Sequence, residues 1–215
     1  IFVVGSPGCE NLDKKIYFNK NQLEKKLNLK FFKKNILVTI HPQIDRNETY
    51  VLVYNLLSVI KKLKNTLIIF TGVNPDINSD IISKILKKFR KLNNFKFYHH
   101  LGQNIYLSLA KQIDFVIGNS SSGFIEFPFL KIPVINIGER QSGRPISKNI
   151  IQVNIEKRNI KKAIKKVYTP RFKKNLKLTK SFYFKKGTSA KIIKILKNIK
   201  LKNIKIKKFQ ANENF

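Results

Sequence analysis

The sequence predicts an α/β protein, a Rossmann-like parallel sheet with helices on both sides. Three observations carry that prediction. Short runs rich in Ile, Val and Phe recur along the chain, mostly without polar alternation, as expected of strands buried on both faces. Longer amphipathic stretches separate them, with apolar residues three or four positions apart. Polar and glycine-rich turns follow the apolar runs, at the strand ends where open parallel sheets bind ligands. The 215 residues suffice for one such domain with a substantial core. A hydrophobic fraction of 42% with 11% aromatics excludes intrinsic disorder.

The elements follow in order. Ile1–Gly5 reads as a strand entering a turn, and not as a signal peptide, because no charged segment precedes it. A helix is expected near Gln22–Asn28, within Asn11–Lys34. Ile36–Ile40 is the next strand. Tyr50–Lys64 then places Val51, Tyr54, Leu57, Ile60 and Leu63 at three-residue spacing, which predicts a helix. Leu67–Thr71 is a strand, and Ile77–Leu92 a helix carrying Ile81, Ile82, Ile85, Leu86 and Phe89. The remaining strands are Phe95–His99, Phe115–Gly118, Val134–Ile137 and Ile150–Asn154. The remaining helices are Asn104–Gln112, Ser121–Leu130, Arg158–Val167 and Thr188–Ile199. Such alternation implies right-handed crossovers and parallel pairing. Lys197–Phe215 alternates Lys, Ile and Asn before turning polar, and a helix end followed by a disordered tail is expected.

The expected organisation is a crossover segment over 1–34, a Rossmann-like domain over 35–196 and a basic tail over 197–215. The chain contains no methionine and opens on Ile1. An N-terminal domain ahead of it is therefore expected to be missing from this sequence.

Forty-four Lys and Arg against 12 Asp and Glu give a formal charge of +32. Two readings compete: a nucleic-acid binder, or compositional drift toward Lys, Asn, Ile and Phe. Only six of the basic residues are Arg (Arg46, Arg90, Arg140, Arg144, Arg158 and Arg171). Nucleic-acid readers favour Arg for bidentate contacts. The lysines fall instead on expected helix surfaces, so solvated faces are the favoured reading and a nucleic-acid partner is not expected. A single cysteine, Cys9, excludes a disulfide scaffold and a Cys-based zinc site. No metal or cofactor is expected. No apolar run approaches the ~18 residues of a membrane helix, and a soluble, cytoplasmic chain is expected.

The strand ends carry the chemistry. His41-Pro42 follows the strand ending at Ile40, placing a histidine either in the crevice or at an ordinary surface. Asn74 lies in a polar turn after Thr71 that also suits helix capping. His99 and His100 are adjacent on a strand end, where neighbouring side chains diverge, which disfavours a two-histidine metal site. Gly118-Asn119-Ser120-Ser121-Ser122-Gly123 feeds a helix, offering backbone N–H groups, hydroxyls and a helix dipole to a phosphate or diphosphate. Glu126, inside that helix, suits the two hydroxyls of a ribose; the alternative is a buried carboxylate paired with a lysine. Arg140 and Arg144, in Gly138-Glu139-Arg140-Gln141-Ser142-Gly143-Arg144, form a clamp for phosphate or base, or else a surface ion pair with Glu139. No Gly-x-Ser-x-Gly elbow and no Walker loop occurs. The residues suit a nucleoside diphosphate.

With these residues in view the chain resembles the C-terminal half of the hydrolysing UDP-N-acetylglucosamine 2-epimerases, from Ile1 to about Leu196. Phe2-Val3-Val4-Gly5-Ser6-Pro7 looks like the family's crossover and Thr39-Ile40-His41-Pro42 like its strand-end His-Pro. Gly118–Gly123 with Glu126 is similar to its nucleotide loop. Pro133-Val134-Ile135-Asn136-Ile137-Gly138 with Arg140-Gln141 and Gly143-Arg144 supplies the most specific match. The resemblance implies one half of a two-domain glycosyltransferase-B-type fold and a homo-oligomer. It implies conversion of UDP-N-acetylglucosamine and water to N-acetylmannosamine and UDP, through a glycal. His41 would contact the diphosphate and assist the leaving group. Ser120 and Ser121 would bind phosphate, Glu126 the ribose, Arg140 and Arg144 the diphosphate region, and Asn74 the nucleotide or effector side. The family's catalytic carboxylates lie in its N-terminal half. Tyr183-Phe184-Lys185-Lys186-Gly187-Thr188 keeps only part of the family's Tyr-Gly-Asp-Gly segment. The same chemistry on UDP-N,N'-diacetylbacillosamine and a glycosyltransferase on the same fold are the rival readings.

Overall fold

The computed structural model describes residues 1–72 and 75–199. Asn74 and the expected tail beyond 199 therefore lie outside the described residues. Six parallel strands form one sheet: β1 (Lys34–Thr39), β2 (Thr66–Thr71), β3 (Phe95–Tyr98), β4 (Phe115–Gly118), β5 (Val134–Ile137) and β6 (Ile150–Val153). Their order is β3-β2-β1-β4-β5-β6. The chain runs outward from β1 through β2 to β3, then crosses back to lay β4 on the other side of β1. That reversal opens a crevice at the carboxyl ends of β1 and β4.

The helices are α1 (Lys20–Leu27), α2 (Arg46–Ile60), α3 (Ser79–Phe89), α4 (Gly102–Ala110), α5 (Ser122–Ile125), α6 (Phe127–Leu130), α7 (Lys157–Val167), α8 (Pro170–Lys177) and α9 (Thr188–Asn198). Alternation along each strand divides the core between the sheet's two faces. Ile36 and Val38 of β1 pack with Leu52, Leu56 and Ile60 of α2 and with Ile160 and Ile164 of α7. Leu37, on the opposite face, packs with Leu107 of α4, with Phe124 and Phe127, and with Cys9, Leu12, Leu23 and Leu27. The segment before β1 thus contributes side chains to a core.

The structure corrects several expectations. Ile1–Gly5 is not a strand. It is an extended segment whose first three residues are exposed and which is tied to the loop before α9, where Ser6 N–H donates to Tyr183 O at 2.8 Å. The helix expected over Ser121–Leu130 is two single turns, broken at Glu126, with Pro128 in the second. Tyr54, expected on the buried stripe of α2, is 45% exposed and stacks on Tyr50. Helix α8 had no counterpart in the sequence reading; Thr169 caps it and Pro170 occupies its first turn. No helix among the described residues is long and apolar enough to cross a membrane.

Candidate functional site

The floor of the crevice is built from backbone and one amide. Thr39 and Gly118 are register partners at the last rung of β1 and β4. A Cβ on Gly118 would lie 1.8 Å from Thr39 O, so only glycine allows the two strand ends to meet this closely. The next residue, Asn119, is fully buried. Its Oδ1 accepts from His41 N–H at 2.7 Å and its Nδ2 donates to His41 O at 2.9 Å. The side-chain amide thereby replaces one more rung of sheet and fixes the backbone of His41. Gln141 Nε2 donates to Asn119 O at 2.9 Å, which ties the loop after β5 to the same point.

Above that floor the polar atoms are left open. His41 Nδ1, Glu126 Oε2 and Gln141 Oε1 are buried and have no hydrogen-bond partner among the described residues. An unpaired buried polar group costs about 1–3 kcal/mol. Three such groups at the carboxyl edge of the sheet make that edge the candidate ligand surface. Burial, and secondarily the Arg140 guanidinium, push the His41 imidazole below its ordinary range, while Asp76 opposes them. Glu126 is shifted the other way: burial raises its carboxyl, opposed by a hydrogen bond to its own backbone N–H and by Arg144. Burial, and then Glu126, raise the neighbouring Cys9 thiol to about 11, which keeps it an unreactive thiol.

Four of the predicted residues line two clefts, and Ser120 and Glu126 line neither of them. Ser121, Arg140 and Arg144 share a cleft of about 650 Å³ with Pro42, Gln43 and Ile44. On the far side of β1, His41 borders a cleft of about 250 Å³ with Thr39, Thr71, His99, Leu101 and Tyr106. Neither arginine forms an ion pair with Glu139 among the described residues; Ser142 Oγ donates to that carboxylate instead. Nor is Glu126 paired with a lysine. The helix dipole expected behind Ser121 is reduced to that of a single turn, which leaves hydroxyls, backbone N–H groups and the two arginines as what this edge offers an anion.

Three residues of the site carried no role in the sequence reading. Asn119 and Gln141 were visible as an Asn after a strand-end glycine and a Gln between two arginines, but their partners depend on strand register. Tyr106 sits mid-helix, where an aromatic ordinarily marks core.

Sequence and structure comparisons identify the chain's relatives. The UDP-N-acetylglucosamine 2-epimerase family profile matches residues 1–197. A GDP/UDP-N,N'-diacetylbacillosamine 2-epimerase (hydrolyzing) from Campylobacter jejuni is 39% identical, over 97% of this chain and 55% of its own length. Polysialic acid biosynthesis protein P7 of Escherichia coli is 36% identical, over 97% of this chain and 54% of its own length. The chain spans about half the length of these curated relatives. The crystal structure of Methanocaldococcus jannaschii UDP-GlcNAc 2-epimerase, in complex with UDP-GlcNAc and UDP, superposes with a TM-score of 0.71 at 18% identity. That superposition covers 91% of this chain and 54% of the other, and it shows the shared fold. By sequence, over nearly its whole length, the chain belongs to the UDP-N-acetylglucosamine 2-epimerase family.

Proposed function

We propose that this chain is the UDP-binding half of a hydrolysing UDP-sugar 2-epimerase. The observation that supports the reading is the set of open polar groups along the carboxyl edge of the sheet: His41 Nδ1, Glu126 Oε2 and the two arginines without acidic partners among the described residues. Ser120, Ser121, Arg140 and Arg144 hold the diphosphate. Glu126 accepts the ribose hydroxyls, and Asn74 lies toward the nucleotide or effector side. The reaction removes the sugar C2 proton, expels UDP to leave a glycal, and adds water with the opposite C2 configuration. The carboxylates for the C2 chemistry come from the N-terminal half of the longer protein, and this chain by itself does not turn over.

His41 has a defined part in the expulsion of UDP. Desolvated and beside Arg140, its imidazole is held below the ordinary histidine value, which favours the neutral form at pH 7. A bound diphosphate adds negative charge and offsets the guanidinium, so its pKa rises on binding and the imidazolium assists the leaving group. UDP binding near pH 6.5 is then accompanied by proton uptake. Titration calorimetry in buffers of different ionisation enthalpy measures that uptake, and His41→Asn removes it.

The 39% relative named for the diacetylbacillosamine nucleotide favours a second reading of the sugar, with the same chemistry on UDP-N,N'-diacetylbacillosamine. Product analysis with both UDP-sugars, using the full-length enzyme, decides between them. An acceptor-dependent reaction instead of hydrolysis identifies a glycosyltransferase.

Thermal unfolding of the chain with UDP, ADP and single-stranded DNA at two salt concentrations tests the binding. At 100 times Kd a ligand adds about 2.7 kcal/mol, which is a shift on the order of 5–10 °C for a domain of this size. UDP, and not ADP, is expected to give it. A shift with DNA alone, lost in salt, overturns the reading.

A further inference from the structure

A line of hydroxyls runs beneath the crevice to Ser120. Thr71 Oγ1 is 3.2 Å from Thr39 Oγ1, and Thr39 Oγ1 is 3.4 Å from the Tyr106 phenol. The phenol is 2.8 Å from Ser122 Oγ, which is 3.1 Å from Ser120 Oγ. A hydroxyl has one hydrogen to give and two lone pairs to receive with, so a chain of them points one way or the other.

The serine end sets the direction, since Ser122 Oγ donates to Ser120 Oγ. Thr71 Oγ1 has both Thr39 Oγ1, at 3.2 Å, and Val38 O, at 3.3 Å, as acceptors for its single hydrogen, so the far end fixes no polarity. The two middle contacts accept either polarity, and the one at Ser122 follows the serine end. Ser122 spends its hydrogen on Ser120, so it receives one from Tyr106. Ser120 Oγ accepts twice, from the Ser122 hydroxyl and from Ser122 N–H at 3.4 Å. Its own hydrogen makes no hydrogen bond among the described residues, although the Tyr106 phenol is near enough to compete with a ligand for it. Burial raises the Tyr106 phenol above its ordinary range, so it remains a donor throughout the neutral region.

We propose that Tyr106 is a positioning residue for anion binding: by donating to Ser122 it orders the Ser122–Ser120 pair so that the Ser120 hydrogen is kept for a phosphate oxygen. The proposal rests on the reading of this crevice as a UDP site and goes beyond it. It assigns the affinity for the phosphates partly to a residue that does not touch them. Successive hydroxyls polarise one another, which strengthens the last donor in the line.

The test is a double-mutant cycle on UDP affinity, measured by titration calorimetry at fixed ionic strength with the 215-residue chain. Tyr106→Phe keeps the ring and removes the donor; it is expected to weaken UDP binding about fivefold. Ser120→Ala is expected to cost about tenfold. In the Ser120→Ala background Tyr106→Phe should change affinity by less than about twofold, because the hydrogen it orders is gone. Uridine, lacking phosphate, should bind the wild type and Tyr106→Phe alike, which a role in shaping the cleft wall does not predict. If Tyr106→Phe fails to fold, Ser122→Ala cuts the line one link later and should reproduce the same loss. Wild-type UDP affinity in Tyr106→Phe, multiplicative losses in the double variant, or an equal loss of uridine overturns the proposal. A wild-type chain that binds no UDP overturns the UDP reading and this proposal with it.

Discussion

The carboxyl edge of the sheet and the outer faces of its helices carry charge on opposite terms. Along α7, Lys157, Lys161, Lys162, Lys165 and Lys166 are exposed, around a buried stripe of Ile160, Ala163, Ile164 and Val167. Solvation leaves each of them nearly independent of its neighbours. At the edge a few groups are half-buried, with His41 held below its ordinary pKa and Glu126 above it. In a chain of +32 the number of charges therefore says little about function. Desolvation of single groups beside a fixed backbone says more.

The largest test of that contrast is a methyl group. Gly118→Ala sets a Cβ against Thr39 O in the left-handed region, at φ +151°. We expect it to destabilise the chain by about 3 kcal/mol or more in urea unfolding. Lys161→Ala and Lys165→Ala should leave the midpoint unchanged. Equal effects at the two places would break the comparison.

Nucleotide affinity gives the next largest effect. Removing a charged hydrogen-bond donor costs about 1.5–3 kcal/mol. Arg140→Ala and Arg144→Ala are therefore expected to weaken UDP by roughly 10- to 100-fold. A triple substitution of Lys161, Lys165 and Lys166 to Ala lowers the net charge further than either, and should change the UDP Kd by less than about twofold at physiological salt. Calorimetry on the three proteins decides. A larger loss from the lysines would mean that the overall field, and not the edge, attracts the anion.

The edge was legible in the sequence to the extent that it follows from strand ends. Ile36–Ile40, Leu67–Thr71, Phe115–Gly118 and Val134–Ile137 announced themselves by composition, and reading the residues that follow each picked out His41, Asn74, Ser120, Ser121 and Arg140 as candidates, of which Asn74 lies outside the described residues. What the sequence did not show depends on register or on exact period. Asn119 replaces a rung of sheet only because Thr39 and Gly118 are level. The three-residue spacing of Val51, Tyr54, Leu57, Ile60 and Leu63 falls about 60° short of a full turn at each step. It drifts around α2, and the buried stripe is Leu52, Val53, Leu56, Leu57 and Ile60. The break at Glu126 had its signal in Pro128, two residues on, and the basic composition of 171–177 hid α8, whose signal was Thr169-Pro170.

Salt sharpens the comparison from the other side. Among the described residues three ion pairs form, Lys30–Glu24, Arg46–Asp80 and Lys84–Asp80, and like-charge repulsion opposes the compact state. Raising NaCl from about 20 to about 300 mM shortens the screening length from roughly 20 Å to under 8 Å. The melting temperature is expected to rise by a few degrees as the lysine faces are screened. A melting temperature that falls with salt would show that the charges stabilise the chain instead.

The finest test is the pH dependence of the empty crevice, where the two shifted groups predict opposite signs. The folded His41 binds a proton less readily than the unfolded chain does. Its contribution is present above the ordinary histidine value of 6.5 and is lost as pH falls below it. Glu126 is held above the ordinary carboxyl value of 4.5, so the folded state binds its proton more readily. Its contribution is full below 4.5 and is lost as pH rises through the elevated folded pKa, where ionisation puts charge on a carboxyl whose Oε2 is buried without a partner among the described residues. Glu126→Gln should then raise the melting temperature at pH 7 without nucleotide, and weaken UDP. His41→Asn should flatten the acid side of the stability profile between pH 5 and 6.5. Melting curves of the two variants from pH 4.5 to 7.5 separate these effects. If Glu126→Gln destabilises the empty chain at pH 7, the carboxylate is a structural partner whose hydrogen bonds hold the break between α5 and α6. If it stabilises the chain and loses UDP, the site keeps its charge at a cost in stability because the ligand uses it.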